Sequence, residues 1–150
     1  MTQEPVAVAI DVSHLTRWFS RVMWLGILAN LGMALPTLLM PARMLAWSRL
    51  PITVPIVWTQ FSALLLVLLS AFYIPAAVDP QRHRAVAWLA VLARLAGVAF
   101  FVGLQPREYH LFGYFDLTFF VPEAALLASI ASPSAARGLK PTPYESPWRL

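Results

Sequence analysis

The sequence predicts an all-α, polytopic membrane protein: an antiparallel bundle of four transmembrane helices, with an N-terminal interfacial helix and an extended C-terminal tail. Three observations predict it. Hydrophobic residues make up 59% of the 150-residue chain and charged residues only 12%, against roughly 25% charged in a soluble domain; mean hydropathy is +0.67. So few charges cannot cover a water-facing surface, so lipid must solvate much of the chain. Four apolar runs each reach the about 20 residues a helix needs to cross a bilayer. No run sustains period-2 alternation, which argues against a membrane β-barrel.

Residues 1–18 form the N-terminal segment. In "DVSHLTRWFSRVMW", Asp11 or Ser13 can cap a helix. Leu15, Trp18, Phe19 and Val22 recur at helical spacing with Arg17 and Arg21 between them. That pattern is an interfacial helix running into the first span. A cleaved leader is the poorer reading, because the run is long and lacks a good small-residue cleavage pattern.

The bundle occupies residues 19–131. Its spans are predicted at about 19–40, 55–77, 85–104 and 109–130 by the length criterion. The connection "PARMLAWSRLPITVP" is apolar but punctuated by Pro41, Pro51 and Pro55, and a short surface-lying helix fits about 42–49. The connections "VDPQRHR" and "QPREYH" are short, which forces antiparallel neighbours. Pro36, Pro75 and Pro122 fall within or near the ends of spans, where a bundle tolerates them better than water does. Residues 132–150, with four prolines in "SPSAARGLKPTPYESPWRL", have no core of their own and read as extended. Tyr144 and Trp148 are the candidate partner anchors there.

Orientation follows from the flanks. Arg17, Arg21, Arg82, Arg84, Arg137, Lys140 and Arg149 lie on one side, and Arg43, Arg49 and Arg107 on the other. The positive-inside rule therefore puts both termini in the cytoplasm, with the bacterial inner membrane as the expected location. The net charge of +4 is explained by this distribution rather than by nucleic-acid binding. Trp18, Trp24, Trp47, Trp58, Trp88, Tyr73 and Tyr109 fall near span ends, as an aromatic belt requires.

The chemistry of interest is an intramembrane polar network. Arg94 interrupts "AVAWLAVLARLAGVAFFVGL" roughly 13 Å from the cytoplasmic end of the third span. Glu123 and Asp116, on the returning fourth span, lie roughly 10 Å and 20 Å from that end, and Asn30 in the first lies at roughly 16 Å. Asp116 and Glu123 are seven residues apart and share one helix face. A charge at the bilayer centre costs about 2.5–3.5 kcal/mol even on the lenient scale, so the cheapest arrangement faces all of them inward and pairs Arg94 with a carboxylate. Such a pair either staples two helices or forms a proton, ion or quinone-headgroup site; the remaining alternative is a charge that faces a partner subunit.

Other constellations are weaker. The chain has no Cys, hence no thiol nucleophile and no Cys-ligated metal. None of His14, His83 and His110 is placed mid-span, so a haem would need His14 and His83 at the cytoplasmic surface. No metal-ligand spacing, phosphate-binding glycine loop or nucleophile elbow occurs. Gly26 and Gly32, with Ala29 and Ala34, read as helix-packing notches. Phe100, Phe101, Phe112, Phe115, Phe119 and Phe120 read mainly as lipid or partner contacts, and faintly as a quinone pocket.

Two stretches, "YIPAAVDPQRHRAVAWLAVLARLAGVAFF" and "GYFDLTFFVPEAALLA", resemble a pattern in small bacterial four-span membrane proteins grouped loosely with DoxX-like proteins. The residues that carry the resemblance are Asp79, Pro80, Arg82 and Arg84 of the turn, Arg94 of the third span, and Asp116 and Leu117 of the fourth. It covers the second half of the chain and implies a four-helix membrane protein, without supplying an activity.

The expected role is a non-catalytic accessory subunit of a larger membrane complex, respiratory or photosynthetic, whose partners are lipid and either other membrane subunits or further copies of the chain. No cofactor is predicted. The alternatives are a redox anchor contacting haem or quinone, and a small transporter using the buried charges.

Overall fold

The computed structural model describes residues 12–50 and 55–132. The tail anchors Tyr144 and Trp148 lie outside those residues. The described chain is helical and carries no strand: α1 (Val12–Leu39), α2 (Pro41–Ser48), α3 (Val57–Val78), α4 (Arg84–Val98) and α5 (His110–Ala131). A π-helical segment, Ala99–Leu104, prolongs α4, and a single 3₁₀ turn, Arg107–Tyr109, leads into α5. Four helices are long and apolar enough to cross a membrane: Val12–Leu39, Val57–Val78, Arg84–Leu104 and Arg107–Ala131. The protein is an all-α bundle of four such helices, a multi-pass membrane architecture.

Each helix buries a narrow stripe and leaves the rest outward. On α3 the buried positions are Ala63, Ser70, Tyr73, Ala76 and Ala77, mostly the three- and four-residue steps of an inward seam. On α1 they are Phe19, Met23, Gly26, Ile27, Asn30 and Ala34; on α4, Ala87, Ala90, Val91 and Arg94. Arg94 thus stands on the core stripe of its helix. Leucines at 25, 28, 64, 65, 68, 89 and 92 are exposed on the opposite faces, where acyl chains are an adequate solvent. The small buried residues let α1 pack closely against α3 and α5, which in a membrane substitutes for a hydrophobic driving force between helices.

Val12–Trp18 is not a separate element. It forms the first turns of a continuous 28-residue α1, since no Gly or Pro interrupts the sequence there. Pro36, Pro75 and Pro122 all lie inside helices that continue past them. The connection between α1 and α3 contains the expected short helix. Pro41 opens it at a position where no intrahelical N–H is needed, and Arg49 closes it in the left-handed conformation with φ 57°. Its amide and that of Leu50 donate to Ala46 and Leu45 carbonyls at 3.3 and 3.0 Å.

The α3–α4 turn is held by Asp79, whose Oδ1 accepts from the Arg82 amide at 3.0 Å. Gln81 Nε2 donates to Thr16 Oγ1 at 3.1 Å, tying that turn to the start of α1. Arg17, Arg21, Arg82 and Arg84 are all exposed around this end of the bundle. The opposite end carries α2 and the start of α5.

Tyr73 departs from its expected place in the aromatic belt. It is 3% exposed, whereas Trp47 is 82% exposed. The phase of α3 explains it: Tyr73 follows Ser70 by three residues and precedes Ala77 by four, so it continues the buried seam, and the seam overrides its closeness to the helix end.

Candidate functional site

The bundle brings Arg94 to both carboxylates of α5. Arg94 Nε donates to Glu123 Oε2 at 3.0 Å and Nη1 to Asp116 Oδ1 at 3.5 Å. The seven-residue spacing on α5 sets the two acceptors one above the other on a single face, and the guanidinium fork reaches between them. The two links are unequal. The Glu123 contact is a well-formed ion pair between side chains 2% and 0% exposed; the Asp116 contact is long for an N–H···O bond, and the Asp116 side chain keeps 23% exposure. Glu123 is the closed partner and Asp116 the open one.

Three residues that the sequence did not single out in this role complete the seat. A Cβ built on Gly26 would collide with Arg94 Nη2, and one on Gly97 would collide with Asp116 Oδ2. Gly26 on α1 is therefore a notch that receives a guanidinium rather than a neighbouring helix. Gly32 makes no such notch, since nothing lies within 4 Å of a Cβ there. Phe119, expected at lipid or a partner, lies under Arg94, with the guanidinium carbon 4.7 Å from its ring centroid, a cation–π contact. Tyr73 comes within electrostatic range of all three charges. Two atoms at the centre of the triad, Arg94 Nη2 and Glu123 Oε1, are buried without a hydrogen-bond partner.

Asn30 reaches the same level but not the triad. It is 4% exposed, and among the described residues no hydrogen bond joins its amide to Arg94 or to any other group. Asn30 faces a cavity instead. That cavity, of about 520 Å³, extends from Asn30 and Asp116 up to α2, and is walled by α1, α3, α5 and the π-helical segment. Its length from Asn30 to Thr37 on α1 is roughly 10 Å at the helical rise. The lining is apolar apart from Asn30, Asp116 and a few hydroxyls, those of Thr37, Ser48, Thr59 and Ser62. Phe101, Phe112 and Phe115 belong to this lining and are partly buried, whereas Phe100 is exposed. The widened π turn sets Phe101 there, and such turns recur at functional sites.

The histidines stay apart from this centre. His14 Nε2 accepts the Trp18 indole hydrogen bond at 3.1 Å, His83 is at the start of α4, and His110 Nε2 is 3.2 Å from the Gln105 carbonyl oxygen. Among the described residues no group of three His, Cys, Asp or Glu side chains is placed to hold a metal ion.

No protein-family model, no curated protein and no solved structure matches this chain.

Proposed function

We propose that the chain is a non-catalytic, multi-pass membrane protein of the bacterial inner membrane, with both termini cytoplasmic, that holds a lipid-soluble small molecule within its bundle. The observation that carries this reading is the cavity of about 520 Å³ with Asn30 and Asp116 at its deep end. Small-molecule sites are concave, mostly apolar and furnished with a few convergent polar groups that fix orientation. Here the apolar wall suits a hydrocarbon body, and the amide and carboxylate suit a polar head.

The triad supports the reading by fixing the floor. Arg94 locks α4 to α5 and rests in the notch of α1, so the helices that carry Asn30 and Asp116 hold a set separation. Glu123 is sealed beneath, which leaves Asp116 as the charged group open to an occupant. The outward faces of the spans are free for lipid and for the neighbouring membrane subunits, or further copies, of an accessory role.

The test is binding of a small neutral amphiphile, 4-phenylbutanol, to the protein in phosphatidylcholine nanodiscs. Saturable binding is expected, and it should be lost in Ala63→Phe and Thr37→Phe, which fill the cavity from α3 and α1, at unchanged helical content. The absence of saturable binding, or binding indifferent to both substitutions, would overturn the reading.

A further inference from the structure

The deep end of the cavity carries unbalanced charge. Among the described residues, the ionisable side chains at that level are Arg94, Asp116 and Glu123, with the phenol of Tyr73 beside them. One cation against two carboxylates leaves a formal charge of −1 when both carboxylates are ionised. Among the described residues no basic side chain lines the cavity to offset it; Arg43 of α2 donates to Met40 Sδ at 3.7 Å. The elements packed around the triad contribute Gly26 from α1, Tyr73 from α3, Gly97 from α4 and Phe119 from α5. None of these is a cation. An excess charge in a low-dielectric interior is expensive unless it is paired, so the floor requires one more positive charge.

Three features of the open side suit an organic cation. Asp116 lines the cavity and its side chain keeps 23% exposure, whereas Glu123 is sealed. Asn30 is buried, lines the same space and has no hydrogen-bond partner among the described residues, so its amide oxygen is available to a donor. Phe101, Phe112 and Phe115 line the walls, and aromatic rings attract cations as well as hydrocarbon. A hydrated inorganic ion would leave that apolar length unfilled.

We propose that the cavity takes an amphipathic ammonium cation, whose charged head meets Asp116 and Asn30 and whose apolar body lies among Phe101, Phe112 and Phe115. This rests on the reading of the cavity as a binding site and names its ligand class. Charge balance also sets the stoichiometry. With the cavity empty, one proton on the triad neutralises it. An entering ammonium replaces that proton, so each cation bound releases one proton to water and the net charge of the site stays at zero.

The experiment compares 4-phenylbutylammonium with 4-phenylbutanol, equal in body and different in head, on the full chain in phosphatidylcholine nanodiscs. The ammonium should bind more tightly by about tenfold or more, the worth of one charge-assisted hydrogen bond, with proton release detected in weak buffer. Asp116→Glu should keep the preference and Asp116→Asn should abolish it. Because Asp116→Asn also loosens Arg94, Asn30→Leu is the second variant. It leaves the triad intact and should weaken ammonium binding by about tenfold, the worth of one hydrogen bond to a charged group. Equal affinities in the unaltered protein, or a preference indifferent to both Asp116→Asn and Asn30→Leu, would overturn the proposal. If 4-phenylbutanol binds and Ala63→Phe blocks it, equal affinities overturn only the ligand class. If neither compound binds saturably, the cavity reading falls with it.

Discussion

Arg94 Nε donates to Glu123 Oε2 at 3.0 Å across α4 and α5, with both side chains shut away from solvent. The relationship explains why an arginine interrupts an apolar span. Its charge is met by a carboxylate at matching depth, on a helix that runs the opposite way.

Removing one member of this pair leaves the other charge buried and uncompensated, which typically costs about 3–5 kcal/mol. Arg94→Leu should therefore lower the thermal unfolding temperature in detergent markedly, and Arg94→Leu with Glu123→Leu should recover much of the loss. Glu123→Ala should cost more than Asp116→Ala, because the Asp116 link is longer and partly exposed. Equal losses for the two carboxylate variants would mean that the inequality of the two links carries no energy.

The glycines separate into two kinds. Gly26→Ala and Gly97→Ala place a methyl where Arg94 and Asp116 lie and should destabilise the bundle. Gly32→Ala meets open space and should stabilise α1 by up to about 1 kcal/mol, the helix-propensity difference. Thermal unfolding of the three single variants checks this. A loss at Gly32 as large as at Gly26 would contradict the assignment of the notch.

Topology is checked with sidedness reporters. Arg17, Arg21, Arg82 and Arg84 gather at the end of the bundle that holds the α3–α4 turn, and the positive-inside rule sends that end to the cytoplasm. A reporter placed after Leu50 should read the outer side and one placed after Ser132 the cytoplasmic side. The same sidedness at both positions would refute the four-span path.

Much of this fold was legible in the sequence, because span length and hydropathy are properties of single segments. Arg94 was legible as well, since a lone charge in an apolar run demands a partner, and the 1.5 Å rise puts Glu123 and Asp116 at reachable depths. The rest depended on rotation about helix axes and on packing between helices. Gly26 reads the same whether its notch takes a helix or a guanidinium. Phe119 and Phe115 are four residues apart on α5, yet one lies under Arg94 and the other lines the cavity. Tyr73 needed the phase of α3 to be moved from the belt to the core. The cavity itself has no sequence signature, because it is a space left between five elements.

The most direct test of the central claim, that the space beneath α2 is a binding site, is photolabelling with a diazirine-bearing phenylbutyl amphiphile in nanodiscs, mapped by peptide mass spectrometry. The account predicts saturable labelling at Thr37, Ser62 and Phe112, displaced by excess 4-phenylbutanol. Labelling spread over the outward residues Leu68, Phe72, Leu89 and Leu92, with no protection by the competitor, would contradict it.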